Sequence, residues 1–316
     1  MLKHSVQHRF LFIFPLKILI LLKCLHICEF FLVSLHKFSY FTHKKMPKKV
    51  LFITQEMLPF TPDSHLAQIG RYLPQYIQDK RNEIRIFTPK WGNINERRNQ
   101  LHEVIRLSGM NLIIDETDHP LIIKVASLQS AHMQIYFIDN DDYFMKRQMI
   151  TDENGYEYPD NGERAIFYAR GVLETVKKLR WEPDIVHCSG FMTALAPIYI
   201  KKAFKDEPSF SESKVVFSLS KQEFKNDLGM HARDCVPFKG AKLNDVMEFC
   251  REKYGYTELA KLAIRYSDGV IMDAPEVDSE ALEYAKSIGL PVLDYQEMDN
   301  IKEAYNAFYD KVLEQK

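Results

Sequence analysis

Short runs of β-branched and aliphatic residues alternate with longer amphipathic stretches along most of this chain, and few architectures accept that order. The apolar runs at 50–54, 84–88, 121–125, 134–138, 185–188, 215–219, 269–272 and 291–293 read as strands. Several are apolar throughout, as strands covered on both faces of a parallel sheet must be. Between them, 64–79 places Leu66, Ile69, Leu73, Tyr76 and Ile77 on one helical face, and 162–179 does the same with Ile166, Ala169, Leu173 and Val176. Further helices are expected at 256–266, 279–288 and 301–313. This alternation predicts an α/β fold built on a doubly wound, mostly parallel, Rossmann-like sheet. The 185–188 strand should be internal to it, with 301–313 packed on top. Two segments break the pattern. Residues 91–109 are polar and charged around Asn95–Gln100 and read as a lid or surface loop, while 226–255, broken by Gly229, Pro237 and Gly240, reads as an irregular excursion.

Composition narrows the partners. With 46% hydrophobic and 27% charged residues, the chain has the make-up of a soluble globular protein. A net charge of −1 supplies no electrostatic reason to bind nucleic acid or an anionic membrane. Cys24, Cys28, Cys188, Cys235 and Cys250 are scattered without paired zinc spacing, which fits a reducing cytoplasm. His, Cys and carboxylate ligands do not cluster along the sequence, so no metal and no cofactor are expected.

The first 45 residues differ from the rest. They are apolar from Phe10 to Phe41, yet Lys17, Lys23 and Glu29 interrupt a run that a membrane helix would keep free of charge for about 20 residues. No small-residue cleavage site follows a single short apolar core. Met46-Pro47-Lys48-Lys49 followed by Val50-Leu51-Phe52-Ile53 is a typical cytoplasmic start. Residues 1–45 are therefore expected to lie outside the fold, with 46–316 as one domain; a membrane anchor through 10–41 or an unusual export signal is the alternative.

The most informative stretch is Pro183-Asp184-Ile185-Val186-His187-Cys188-Ser189-Gly190-Phe191-Met192-Thr193-Ala194. It reads as a buried strand opening into a helix, the edge at which α/β proteins bind ligands. It resembles the His-Cys-His-Asp-Trp-Gln-Thr-Ala segment of bacterial glycogen and starch synthases, with Ser189 in the position of the family's catalytic His. Gln55-Glu56-Met57-Leu58-Pro59-Phe60 and the following Thr61–Pro74 resemble that family's first strand–loop–helix unit. Glu56, Pro59, Phe60, Leu66, Ala67, Leu73 and Pro74 match, whereas Pro62 replaces its phosphate-binding lysine and Ser64-His65 its glycine pair. A glycine pair lets backbone N–H groups approach phosphate closely; Asp63-Ser64 makes a helix cap instead.

Tyr136-Phe137-Ile138-Asp139-Asn140 and Tyr158-Pro159-Asp160-Asn161-Gly162-Glu163-Arg164 resemble two more family segments. The resemblance places Asp160 and Asn161 near a transferred glucose; Asp160 reads equally as the cap of the helix it precedes. His187 keeps the first His of the motif, and reads either as a core residue or as a substrate contact. Ser220-Lys221 stands where the family has His-Asn. After 259–272 roughly 40 residues remain, too few for a second Rossmann-like domain, and 301–313 resembles the helix that returns from it.

The resemblance implies one half of a GT-B glycosyltransferase fold and α-1,4-glucan synthesis from ADP-glucose. The altered motifs imply a homologue that binds glucan or a partner, with Glu56, Asp160, Asn161 and His187 as substrate-binding residues and no assigned catalytic residue. The alternative is an active half completed by a separate nucleotide-binding glycosyltransferase chain.

Overall fold

The computed structural model describes residues 47–315; the reading of residues 1–45 as a leader lies outside them. Among the described residues, ten strands form the sheet framework. They are β1 (Lys49–Thr54), β2 (Glu83–Pro89), β3 (His102–Glu103), β4 (Met110–Ile114), β5 (Thr117–Leu128), β6 (Met133–Asp139), β7 (Ile185–Ser189), β8 (Lys214–Leu219), β9 (Gly269–Met272) and β10 (Val292–Leu293). Their order is β10-β9-β8-β7-β1-β2-β6-β5-β3, with β4 paired to β5. Every pairing from β10 to β6 is parallel, and those made by β5 are antiparallel. The fold is thus α/β, with a mostly parallel sheet and β7 held between β1 and β8.

Burial explains which strands the sequence shows most clearly. β1, β7 and β8 are buried almost without interruption. β5 instead buries His119, Leu121, Ile123 and Val125 alternately, as a strand covered on one face does.

The main helices are α1 (His65–Asp79), α2 (Asn161–Leu179), α3 (Tyr256–Arg265), α4 (Ser279–Ser287) and α5 (Ile301–Leu313). α2 is buried along nearly its whole length, and its Tyr168 hydroxyl lies 2.9 and 2.8 Å from the carbonyl oxygens of Thr54 and Phe87. It thereby braces the ends of β1 and β2. α5 packs Ile301, Tyr305, Phe308, Tyr309 and Val312 inward. Its docking is fixed at three points: Lys48 pairs with Asp310 at 2.7 Å, Tyr76 donates to Glu303, and Tyr309 meets His187.

The 91–109 segment differs from a free surface loop. Trp91 is fully buried and donates to the carbonyl of Gln55 at 2.9 Å, and Ile94, Leu101 and Leu107 are buried with it. These apolar anchors hold the polar stretch between them onto the core. The 226–255 excursion is largely irregular, with short helices only at Met230–Asp234 and Leu243–Met247. No helix of the described residues is long and apolar enough to cross a membrane.

Candidate functional site

The chain runs from β1 outward to β2 and β6 on one side, then returns to β7 and continues to β8, β9 and β10 on the other. The reversal lies between β1 and β7, and the loops leaving their C-terminal ends diverge there into a crevice. Gln55 and Glu56 enter it from β1, Ser189 and Gly190 from β7, Ser220 and Glu223 from β8, and Asp273 from β9.

Side chains of the protein fill this crevice. Glu223 Oε2 accepts from the backbone N–H of Phe191 at 3.2 Å, and Gln55 Oε1 from that of Met192 at 3.2 Å. Gln55 Nε2 donates to Glu223 at 3.2 Å and reaches Glu56 at 3.5 Å. Ser64 caps α1 by accepting from Ala67 N and donates its hydroxyl to Glu56. One chain of hydrogen bonds therefore runs from the start of α1, across the crevice, to the helical turns after β7. The backbone donors that an α/β protein offers to an anionic ligand are taken. Gly190 permits this arrangement: its φ is +88°, and a Cβ there would stand 2.6 Å from the Cβ of Gln55.

Two buried carboxyls sit here. Burial pushes the Glu223 carboxyl up to about 8, and the Asp273 charge adds to the effect against the Phe191 N–H. Asp273, itself pushed up to about 7 by burial, accepts from the Ser220 hydroxyl. Tyr256 holds the same turn through the carbonyl and N–H of Ser220.

His187 lies in the core beneath α5 instead of in the crevice. Its Nδ1 meets the Tyr309 hydroxyl at 2.8 Å, and its Nε2 meets Ser218 Oγ at 2.8 Å and Ser189 Oγ at 3.3 Å. Phe52, Tyr305 and Tyr309 surround the ring. Burial pulls its pKa down to about 3, so it stays neutral. Ser189, in the position that the resemblance gives to an imidazole, is itself buried and turned to His187.

The remaining predicted residues gather at the start of α2. Asp160 occupies the cap position, but its side chain makes no capping hydrogen bond. Its Oδ2 accepts from Arg147 at 3.1 Å, and its Oδ1 is buried without a partner. Asn161 is consumed internally, donating to Ile150 O and accepting from Arg164. Sequence reasoning missed Arg164, which is fully buried and also donates to Tyr143 O and Gln148 O. Its guanidinium lies about 5 Å from the ring centres of Trp91 and Tyr158, and burial pulls its pKa down to about 10. An arginine early in a buried helical face was the available signal. Next to this cluster, Gly92, Asn93, Arg147, Gln148, Asp152 and Tyr158 line a polar surface pocket of about 410 Å³.

Elsewhere, folding brings together Asp115, His231 and Cys235, a spatial group that no clustering along the sequence announces. Their separation along the chain hid the group, although His231 and Cys235 are at helical spacing.

A family model described as the starch synthase catalytic domain matches residues 49–292. The glycogen synthase of Chlorobium limicola is 37% identical over 192 residues, covering 60% of this chain and 38% of its own length. That of Chlorobaculum tepidum is 32% identical over 206 residues, covering 62% of this chain and 42% of its own length. The chain thus spans less than half the length of the curated relatives it matches. Among solved structures, the catalytic domain of starch synthase IV from Arabidopsis thaliana, bound to ADP and acarbose, shares the fold. Its TM-score is 0.63 at 16% identity, covering 80% of this chain and 53% of that one.

Proposed function

Because this chain belongs to the starch synthase catalytic domain family, we propose that it binds an α-glucan without itself transferring glucose. The observation that carries this reading is the internal hydrogen-bond chain through Ser64, Glu56, Gln55 and Glu223. Glucosyl transfer needs preorganised donors or cations on the departing diphosphate, and removing one such group costs about 3–4 kcal/mol of transition-state stabilisation. Here the donors at Phe191 and Met192 are already occupied by Glu223 and Gln55. His187 faces away from the crevice, toward Tyr309.

Glucan binding is assigned to the pocket beside α2. Its lining includes Arg147, which pairs with Asp160 at 3.1 Å, and Tyr158, whose ring the Arg147 guanidinium covers; a glucan can hydrogen-bond Arg147, Gln148 and Asp152 there. A cavity of this size suits a sugar unit or two held by a few placed polar groups. The free thiols Cys188, Cys235 and Cys250 fit a cytoplasmic setting.

The test combines affinity electrophoresis in glycogen with transfer of labelled glucose from ADP-glucose, both on the full chain. Glycogen should retard the protein, Asp160→Ala should weaken that retardation about tenfold, equivalent to about 1.4 kcal/mol, and transfer should stay at background. Robust transfer that Asp160→Ala or His187→Ala abolishes would overturn the proposal. Transfer appearing only after a second polypeptide is added would support the shared-catalysis alternative.

A further inference from the structure

The tip of the β4–β5 hairpin and the short helix Met230–Asp234 meet at the surface, where they bring together three side chains of different chemistry. Asp115 Oδ2 lies 2.9 Å from His231 Nε2. With Cys235, the three ligand atoms all fall within 4.8 Å of one another. His231 and Cys235 are four residues apart on a helical turn, and the Cys235 N–H bonds to the His231 carbonyl, so both side chains share a face.

The framework behind the group is tight. Arg170 of α2 holds the Ile113 carbonyl at 2.7 Å, which fixes the hairpin. The helix at 230–234 lies so close to α2 that a Cβ on Gly162 would stand 2.6 Å from the Ala232 Cβ. Both carriers of the three side chains are therefore seated on one buried helix.

We propose that Asp115, His231 and Cys235 form a site for a divalent cation of the zinc class, with a water as fourth ligand. Imidazole, thiolate and carboxylate together suit zinc and its borderline neighbours, whereas calcium and magnesium take oxygen ligands. Metal–ligand bonds of about 2.0–2.3 Å put tetrahedral donor atoms about 3.3–3.7 Å apart. The exposed side chains of Asp115 and His231 can reach that spacing by rotation.

Charge also favours a cation there. Asp115 contributes a carboxylate to the group itself. The neighbouring cation, Arg233, is committed to Asp234 at 2.6 Å and to the carbonyls of Cys250 and Arg251. On binding, the Cys235 thiol loses its proton to solvent as the metal–sulfur bond forms. Neutral His231 supplies a lone pair, and Asp115 exchanges its contact with His231 for the metal. The result is a cross-link between the hairpin and the 226–255 excursion.

Cobalt(II) titration of the chelator-treated full chain tests this. One equivalent should saturate a thiolate-to-cobalt charge-transfer band with tetrahedral d–d absorption, and zinc should displace it. Cys235→Ser should abolish the charge-transfer band while native circular dichroism persists. Asp115→Asn and His231→Ala, at exposed positions where folding is not at stake, should each weaken cobalt binding at least tenfold. Absence of the band at one equivalent would overturn the site, as would its survival in Cys235→Ser. Unchanged affinity in both the Asp115 and His231 variants would also overturn it.

Discussion

The crevice between β1 and β7 and the start of α2 both lie on the C-terminal edge of the sheet, yet they treat their polar groups in opposite ways. In the crevice, Ser64 caps α1 and Glu223 with Gln55 caps the turns after β7. At α2 the cap residue, Asp160, makes no capping bond, one of its oxygens has no partner, and a polar pocket opens beside it. A buried group with its partners in place gains nothing from a ligand, whereas an unpartnered one does. The contrast supports the proposed glucan site beside α2, while the backbone donors in the crevice are already engaged.

Three measurements can break or sharpen that contrast. The largest effect should come from Arg164→Ala, which removes a buried guanidinium donating to Tyr143 O, Gln148 O and Asn161. A loss of about 4 kcal/mol in urea unfolding is expected, because buried acceptors are left unpaired. A loss below about 1 kcal/mol would mean that the α2 region does not depend on this residue.

The next effect is a pH dependence in the crevice. Glu223 keeps its proton in the fold up to about 8, while in the unfolded chain it ionises near its ordinary 4.5. Above pH 4.5 the native state therefore binds more protons, and stability falls as pH rises through about 8. Below about 6.5 His187 acts in the opposite direction, since its folded value is depressed to about 3 and stability is lost as pH falls. Between pH 6.5 and 8 the acids act alone, Asp273 until about 7, and each contributes at most about 1.4 kcal/mol per pH unit. Denaturation of the wild type should show this decline, and Glu223→Gln should remove most of it above pH 7. A flat wild-type profile would contradict the closed, protonated crevice.

The smallest effect should come from Ser64→Ala, which deletes the cap of α1 and the hydroxyl held by Glu56. About 1 kcal/mol of stability should go, with glycogen retardation unchanged. Altered glycogen binding would move the ligand site back into the crevice.

The strand runs at 50–54, 185–188 and 215–219 could be read from sequence because burial on both faces leaves continuous apolar residues. β4 could not. Its link to β5 is a two-residue turn with positive φ at Asp115 and Glu116, not at the Asn-Gly or Asp-Gly pair that usually marks such a hairpin. The two-residue β3, exposed at the edge, carries no pattern at all.

The same division holds for the site. The sequence alone determined the α/β alternation, the helix at 301–313, the Ser64 cap and the absence of an imidazole at position 189, because each depends on neighbours within a few residues. Only the tertiary structure decided that His187 faces Tyr309, that Glu223 reaches Phe191 across 32 positions, and that Asp115 meets His231 across 116. Those outcomes depend on which loops a doubly wound sheet brings to one edge, and no local pattern records a partner that distant in the chain.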